Sequence, residues 1–268
     1  MLELKGVTKI FNAGTVNENV VLKDIDLKVD EGDFISIIGS NGAGKSTLLN
    51  VIAGVYAVDR GNILLDGRDI TKVPEHERAR YIGRVFQDPM KGTAPSMTIE
   101  ENLAIAYRRN SRRTLGWGLN NRLREEFKQK LAETGLGLEN RLNYKVKLLS
   151  GGQRQALTLI IATMVKPKLL LLDEHTAALD PSTARLINNL TEEIVLQKGI
   201  TTLMITHNME HAIKMGNRLI MMDKGQIILD IKGSEKKSLT VNDLVDMFER
   251  AAHRKFDEDR TMLRVSNG

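Results

Sequence analysis

Eight residues, GSNGAGKS from Gly39 to Ser46, constrain this chain more than any other stretch. They fit the pattern G-x-x-x-x-G-K-[ST] and lie between the short apolar run DFISII and the apolar segment that follows Thr47. That order reads as strand, glycine loop, helix, the context in which the pattern binds phosphate. The glycines let backbone N–H groups wrap an anion without Cβ clashes, and the positive end of the following helix adds to the attraction. Gly39, Ser40, Asn41, Gly42, Ala43, Gly44, Lys45, Ser46 and Thr47 are therefore candidate nucleotide-binding residues. Lys45 can neutralise β/γ-phosphate charge, and the Ser46 hydroxyl can ligate Mg²⁺.

A phosphoryl-transfer site also needs an acid at a strand end. LLLLDEH supplies it, a buried-type strand from Leu169 followed by Asp173 and Glu174. Neighbouring residues on a strand face opposite ways, but at its C-terminal end both carboxylates can turn toward the crevice where ligands of open parallel sheets collect. Asp173 then serves the metal, and Glu174 can take a proton from an attacking water.

Along the chain, 2–10 reads as an exposed strand and 20–29 as a clearer one. GNILLDGRDI reads as a hairpin turning at Asp66-Gly67. Apolar spacing becomes helical over 98–141, interrupted by RRNSRRTLGWGLNNR, which suggests a mostly helical insertion. Then come a helix at 153–165, the strand KLLLLD, a helix at 182–197, the strand TTLMIT, a helix at 208–215 and the strand pair RLIMMDKGQIILD. Such alternation implies an α/β fold with a mainly parallel sheet covered on both faces. Residues 240–249 read as a helix capped by Thr240, and the end of the chain as a mobile tail.

Composition narrows the class. At 41% hydrophobic residues and no cysteine, the chain suits a globular core and excludes disulfide frameworks and thiolate metal sites. No apolar run is long enough to span a bilayer and no secretory signal opens the sequence, so any membrane role is peripheral. The net charge of +5 is unevenly spread. From Asn102 to Arg124 there is no Asp or Glu, while Arg108, Arg109, Arg112, Arg113, Arg122 and Arg124 fall there. A basic cluster can serve nucleic acid, an anionic membrane surface or solubility.

One further motif, LLSGGQRQ from Leu148, puts a second glycine loop at a helix start. Here the chain resembles the ATP-binding cassette (ABC) proteins, the nucleotide-binding subunits of transporters, over about residues 2–232. LSGGQ matches the family signature, Gln87 in RVFQDP the Q-loop glutamine, Asp180 in AALD the D-loop, and His207 in MITHN the switch histidine. Phe11 stands where the family places an aromatic that stacks on adenine.

The resemblance implies a P-loop cassette with a mainly parallel core sheet, an antiparallel β portion and a helical subdomain. It places the cassette at about 1–235, the helical subdomain at about 92–165, and a C-terminal helix and tail at 236–268. It implies ATP and Mg²⁺ as cofactors, with Lys45, Gln87, Glu174 and His207 catalytic and Ser46, Gln87 and Asp173 at the metal. Two cassettes would pack head to tail, so that Ser150, Gly151, Gly152, Gln153 and Asp180 serve the partner's nucleotide. Closure of such a dimer on ATP shifts an open–closed equilibrium, the source of mechanical work. The implied partners are a second ATP-binding subunit, transmembrane permease subunits and an extracytoplasmic substrate-binding protein, with no nucleic acid. The implied place is the cytoplasmic face of the cell membrane.

The family ordinarily has Pro after the catalytic Glu, where this chain has His175, for which a structural role is expected. The tract DPMKGTAPSMTIEENLAIA after Gln87 is similar to that of cassettes accompanying amino-acid-type uptake systems, often assigned to tryptophan or tyrosine. An alternative is a soluble cassette acting on the ribosome or DNA, with the arginine cluster on phosphates. Such proteins usually carry two cassettes or a long coiled-coil insertion, and this chain has neither.

Overall fold

The computed structural model describes residues 1–109 and 120–250. In chain order the elements are β1 (Leu2–Phe11), β2 (Asn19–Val29), β3 (Phe34–Gly39), α1 (Lys45–Ala53), β4 (Arg60–Leu65), β5 (Arg68–Asp69) and α2 (Glu75–Arg78). Then follow β6 (Ile82–Val85), α3 (Ile99–Tyr107), α4 (Asn121–Ala132), α5 (Gly151–Thr163), β7 (Leu169–Asp173) and α6 (Pro181–Lys198). The chain continues with β8 (Thr201–Ile205), α7 (Met209–Lys214), β9 (Arg218–Asp223), β10 (Gln226–Lys232) and α8 (Gly233–Ser238), and residues 241–250 are again helical. Among the described residues no helix is long and apolar enough to cross a membrane. Two compact units result, one of Met1–Glu75 with the chain from Met204 onward, the other His76–Leu203.

The first unit holds an antiparallel sheet in the order β2-β1-β4-β5. Residues 2–10 were expected as an exposed strand, but β1 is flanked on both sides, with Leu2 opposite Val29 and Leu65, and Leu2, Leu4 and Val7 are buried. The alternation there marks one core-facing side of an interior strand. Asp66 and Gly67 carry φ of 52° and 74°, the double left-handed turn that an Asp-Gly hairpin requires. The same unit contains β3 parallel to β9, and β9 antiparallel to β10. Its core of Ile38, Ala212, Leu219, Met221, Ile231 and Leu244 reaches into helix 241–250, whose Met247 and Phe248 pack against it. Thr240 and Asp243 close that helix with a reciprocal cap, Asp243 N–H donating to Thr240 Oγ1 at 3.2 Å and Thr240 N–H to Asp243 Oδ2 at 2.9 Å.

The second unit is mostly helical around the parallel pair β6 and β7, in register from Ile82↔Leu169 to Val85↔Leu172. Strand β6 escaped the sequence reading because YIGRV is short and carries Gly83 and Arg84. Helix α5 is buried nearly all round, with Gln155, Ala156, Leu157, Thr158, Leu159 and Ile160 enclosed, so it is the core helix of this unit. That explains why the stretch after the signature is so apolar.

The arginine cluster does not form one outward face among the described residues. Arg109 donates to the Ala162 and Val165 carbonyls at 3.5 and 3.2 Å, in the last turn of α5 and just past it. Arg124 grips buried Glu100 through two hydrogen bonds of 2.9 and 2.7 Å. Arg112, Arg113 and most of the interrupting loop lie outside the described residues, as does the expected tail from 251.

Candidate functional site

In the first unit, β3 ends at Gly39 beside Met222 of its parallel neighbour β9. A Cβ at Gly39, where φ is 147°, would sit 2.1 Å from the Met222 carbonyl oxygen. A Cβ at Gly44, with φ of 95°, would fall 2.8 Å from the Val21 carbonyl oxygen. The loop thus has the left-handed, side-chain-free backbone that an anion cradle needs. Gly44 caps α1 with no side-chain hydrogen bond of its own to the helix N-terminus. The Lys45 ammonium folds back over the loop, donating to the Gly39 and Ser40 carbonyls at 2.9 Å each, and the residue is 5% exposed. These features fit a nucleotide's phosphates.

His207 follows β8, and it is exposed. It lines a cavity of about 180 Å³ together with Ile38, Gly39, Ser40, Met209 and Phe248, so the structure brings the histidine to the start of the phosphate loop. Ser40 Oγ in turn donates to Asp223 at 3.1 Å. Phe11 ends β1 half-buried, its ring edge-on to Tyr56 at 5.2 Å and 5.3 Å from the Lys9 ammonium, so it is not a core aromatic.

In the second unit, Gln87 lies two residues past Val85, and Asp173 and Glu174 one and two past Leu172. Since Val85 and Leu172 are partners in a parallel pair, all three polar residues leave the same end of adjacent strands. Their oxygen donors are hard ligands of the kind Mg²⁺ takes. Among the described residues no group of three or more His, Asp or Glu is placed to hold a metal ion. Glu174 has φ of 46°, a left-handed conformation rare for a residue with a side chain. His175 beside it is buried, with Nε2 3.1 Å from Thr191 Oγ1. Burial pushes its pKa down to about 4, which keeps the ring neutral.

The signature loop opens α5. Gln153 N–H donates to Ser150 Oγ at 3.3 Å while Ser150 N–H donates to Gln153 Oε1 at 3.2 Å, a capping box made of the signature's own residues. That reciprocal pattern, S-x-x-Q, was a sequence signal that the phosphate reading passed over. Ser150 and Gly151 are exposed and Gly152 is buried against α6. Asp180 caps α6, accepting from the Ser182 and Thr183 N–H groups at 3.1 and 3.0 Å. The Ser182 and Thr183 side chains, with those amides, hold its carboxyl well below the usual carboxylate range. Gln155 was not singled out from the sequence. Its buried amide donates to the Phe86 carbonyl at 3.4 Å, just ahead of Gln87, and ties α5 to the exit of β6.

The profile of the ABC transporter family matches residues 22–177. A tyrosine transport ATP-binding protein of Clostridioides difficile is 46% identical over 255 residues, covering 94% of this chain and all of that protein. A spermidine/putrescine import ATP-binding protein of Aggregatibacter actinomycetemcomitans is 35% identical over 86% of this chain, which spans 57% of that longer relative. Among solved structures, the dimeric post-hydrolysis state of the cassette MJ0796 bound to ADP and Pi superposes with a TM-score of 0.75 at 30% identity, over 87% of this chain and 98% of that one. The ADP conformation of the cassette MJ1267 gives 0.73 at 31% identity, over 92% and 98%. Family profile, relatives and fold agree with the phosphate cradle: the chain belongs to the ABC transporter family and is an ATP-binding subunit whose ATPase activity is coupled to transport.

Proposed function

We propose that this subunit energises the import of an amino acid, tyrosine or a close analogue, from the cytoplasmic face of the membrane. The supporting observation is the identity to the tyrosine transport protein, which runs the full length of that relative and exceeds the identity to the polyamine relative. In this reading the chain works as a homodimer on a pair of permease subunits, fed by an extracytoplasmic substrate-binding protein. Residues 1–235 form the cassette, with a helical subdomain at about 92–165, and 236–268 a C-terminal extension.

Gly39 to Thr47 bind the nucleotide phosphates, Lys45 carries the neutralising charge, and Phe11 stacks on the base. Ser46, Gln87 and Asp173 would hold Mg²⁺, which when bound would supply charge neutralisation at the phosphates. Glu174 takes the proton of the attacking water, and His207 and Gln87 orient the reacting groups. Ser150, Gly151, Gly152, Gln153 and Asp180 serve the nucleotide of the second copy.

The test is uptake by the full complex in vesicles, with tyrosine and spermidine as competing labelled solutes. Tyrosine uptake that depends on ATP supports the reading, and spermidine uptake alone overturns the substrate. In the same complex Glu174→Gln should lower hydrolysis by about 10²- to 10⁴-fold, the usual general-base contribution. An unchanged rate would remove Glu174 from the base role.

A further inference from the structure

His175 is used by neither the fold's apolar core nor the reading above, yet its placement is specific. From Asp173 through Leu186 it is the sole buried residue. The segment is a succession of tight turns, with Ala177 N–H donating to the Glu174 carbonyl at 3.0 Å and Leu179 N–H to the Thr176 carbonyl at 3.2 Å. The one buried side chain of the segment ties these turns to the rest of the fold.

The anchor is a two-step relay into α6. Thr191 Oγ1 donates to the Ile187 carbonyl at 2.7 Å, which uses its only proton. The contact of 3.1 Å between His175 Nε2 and Thr191 Oγ1 therefore has the imidazole as donor, which fixes the tautomer with the proton on Nε2. Directly before His175, Glu174 holds its left-handed φ of 46°. A backbone conformation of that kind is strained for a residue with a side chain and persists only where the surroundings impose it. A proline here would restrict the chain through its ring; this protein restricts it through a side-chain tether.

We infer that His175 is a positioning residue for Glu174, its hydrogen bond to Thr191 holding the turn so that the carboxylate keeps one orientation at the end of β7. The inference rests on Glu174 acting as the base. A displacement of about 1 Å at a reacting group can lower a rate by about a hundredfold, so the tether acts on turnover rather than on nucleotide affinity.

The experiment is steady-state ATP hydrolysis by the full chain carrying His175→Phe, His175→Gln, Thr191→Val or Glu174→Gln, with affinity for a fluorescent ATP analogue and a melting curve for each. His175→Phe and Thr191→Val should lower kcat about tenfold or more, with KM for ATP within about twofold of the parent, since binding groups are untouched. His175→Gln, whose amide can place a donor where Nε2 stood, should recover kcat to within about threefold. If His175→Phe unfolds, Thr191→Val and His175→Gln carry the test. Wild-type kcat in His175→Phe and Thr191→Val, or a His175→Gln loss as deep as that of His175→Phe, overturns the inference. A loss in Glu174→Gln alone overturns it while leaving the base in place; a normal rate in Glu174→Gln overturns the base assignment itself.

Discussion

Gly152 of the signature packs against Thr183 in the first turn of α6 so closely that a Cβ on the glycine would stand 2.2 Å from the threonine Cγ2. The glycine is helical and not in the left-handed region, so what demands it is the neighbouring side chain rather than backbone strain. Thr183 cannot easily turn aside, because its hydroxyl as well as its amide is committed to the Asp180 carboxylate. A family motif usually read as a phosphate contact is here also a helix-packing contact.

Gly152→Ala should therefore destabilise the protein by about 1–3 kcal/mol, the usual cost of overpacking. Thr183→Ser deletes the offending methyl while keeping a hydroxyl, and the double variant should regain most of that loss. Urea unfolding of the two single variants and the double closes the cycle. Additive losses would show that the contact is not the cause.

Within the phosphate loop, glycines 39 and 42 should respond differently. Gly39→Ala forces a Cβ onto the Met222 carbonyl, whereas Cβ at Gly42, with φ of 80°, meets nothing within 4 Å. The second change costs only the left-handed strain of about 1–2 kcal/mol. Gly39→Ala adds a backbone clash and should cost at least ~2 kcal/mol more. Chemical denaturation without nucleotide gives the comparison.

Lys45→Met should lower affinity for an ATP analogue by more than about tenfold, the value of a charge-assisted hydrogen bond. The same change removes the donor to the Gly39 and Ser40 carbonyls, so the empty protein should also melt earlier. Fluorescence titration and a melting curve separate the two effects.

Lys236 is a structural counterpart. Its ammonium, in a residue only 1% exposed, donates to the carbonyls of Ile213, Met215 and Gly216 at 2.8, 2.6 and 3.0 Å, around the end of α7. Lys236→Met keeps the stem but leaves buried acceptors unmet, with an expected loss of about 2–4 kcal/mol in urea unfolding. ATP affinity should stay within about twofold.

The phosphate loop, the acid strand and most element positions were legible in the sequence because each is local. A glycine pattern, an apolar run or a capping residue carries its meaning within a few positions. The helix expected at 182–197 is α6, Pro181–Lys198, and the expected hairpin turn falls at Asp66-Gly67. What stayed hidden depends on partners far along the chain. His175 could not be placed without Thr191, sixteen residues on, nor Gln155 without Phe86, sixty-nine residues back. The role of the arginine cluster stayed open for the same reason, since Arg109 and Arg124 are aimed by tertiary acceptors that charge counting does not see.

The enclosure of α5 has a mechanical consequence. Its 13 residues span about 20 Å from the exposed Ser150 end to Thr163. A rod gripped on nearly every side cannot absorb a push by flexing one face or rotating a few side chains. Load applied at its tip is passed on as a shift of the whole rod. Through the amide of Gln155 that shift is felt at the carbonyl of Phe86, where the chain leaves β6 for Gln87. The signature end and the exit of β6 are thus joined by a strut, and stiffness is as much a property of this sequence as chemistry.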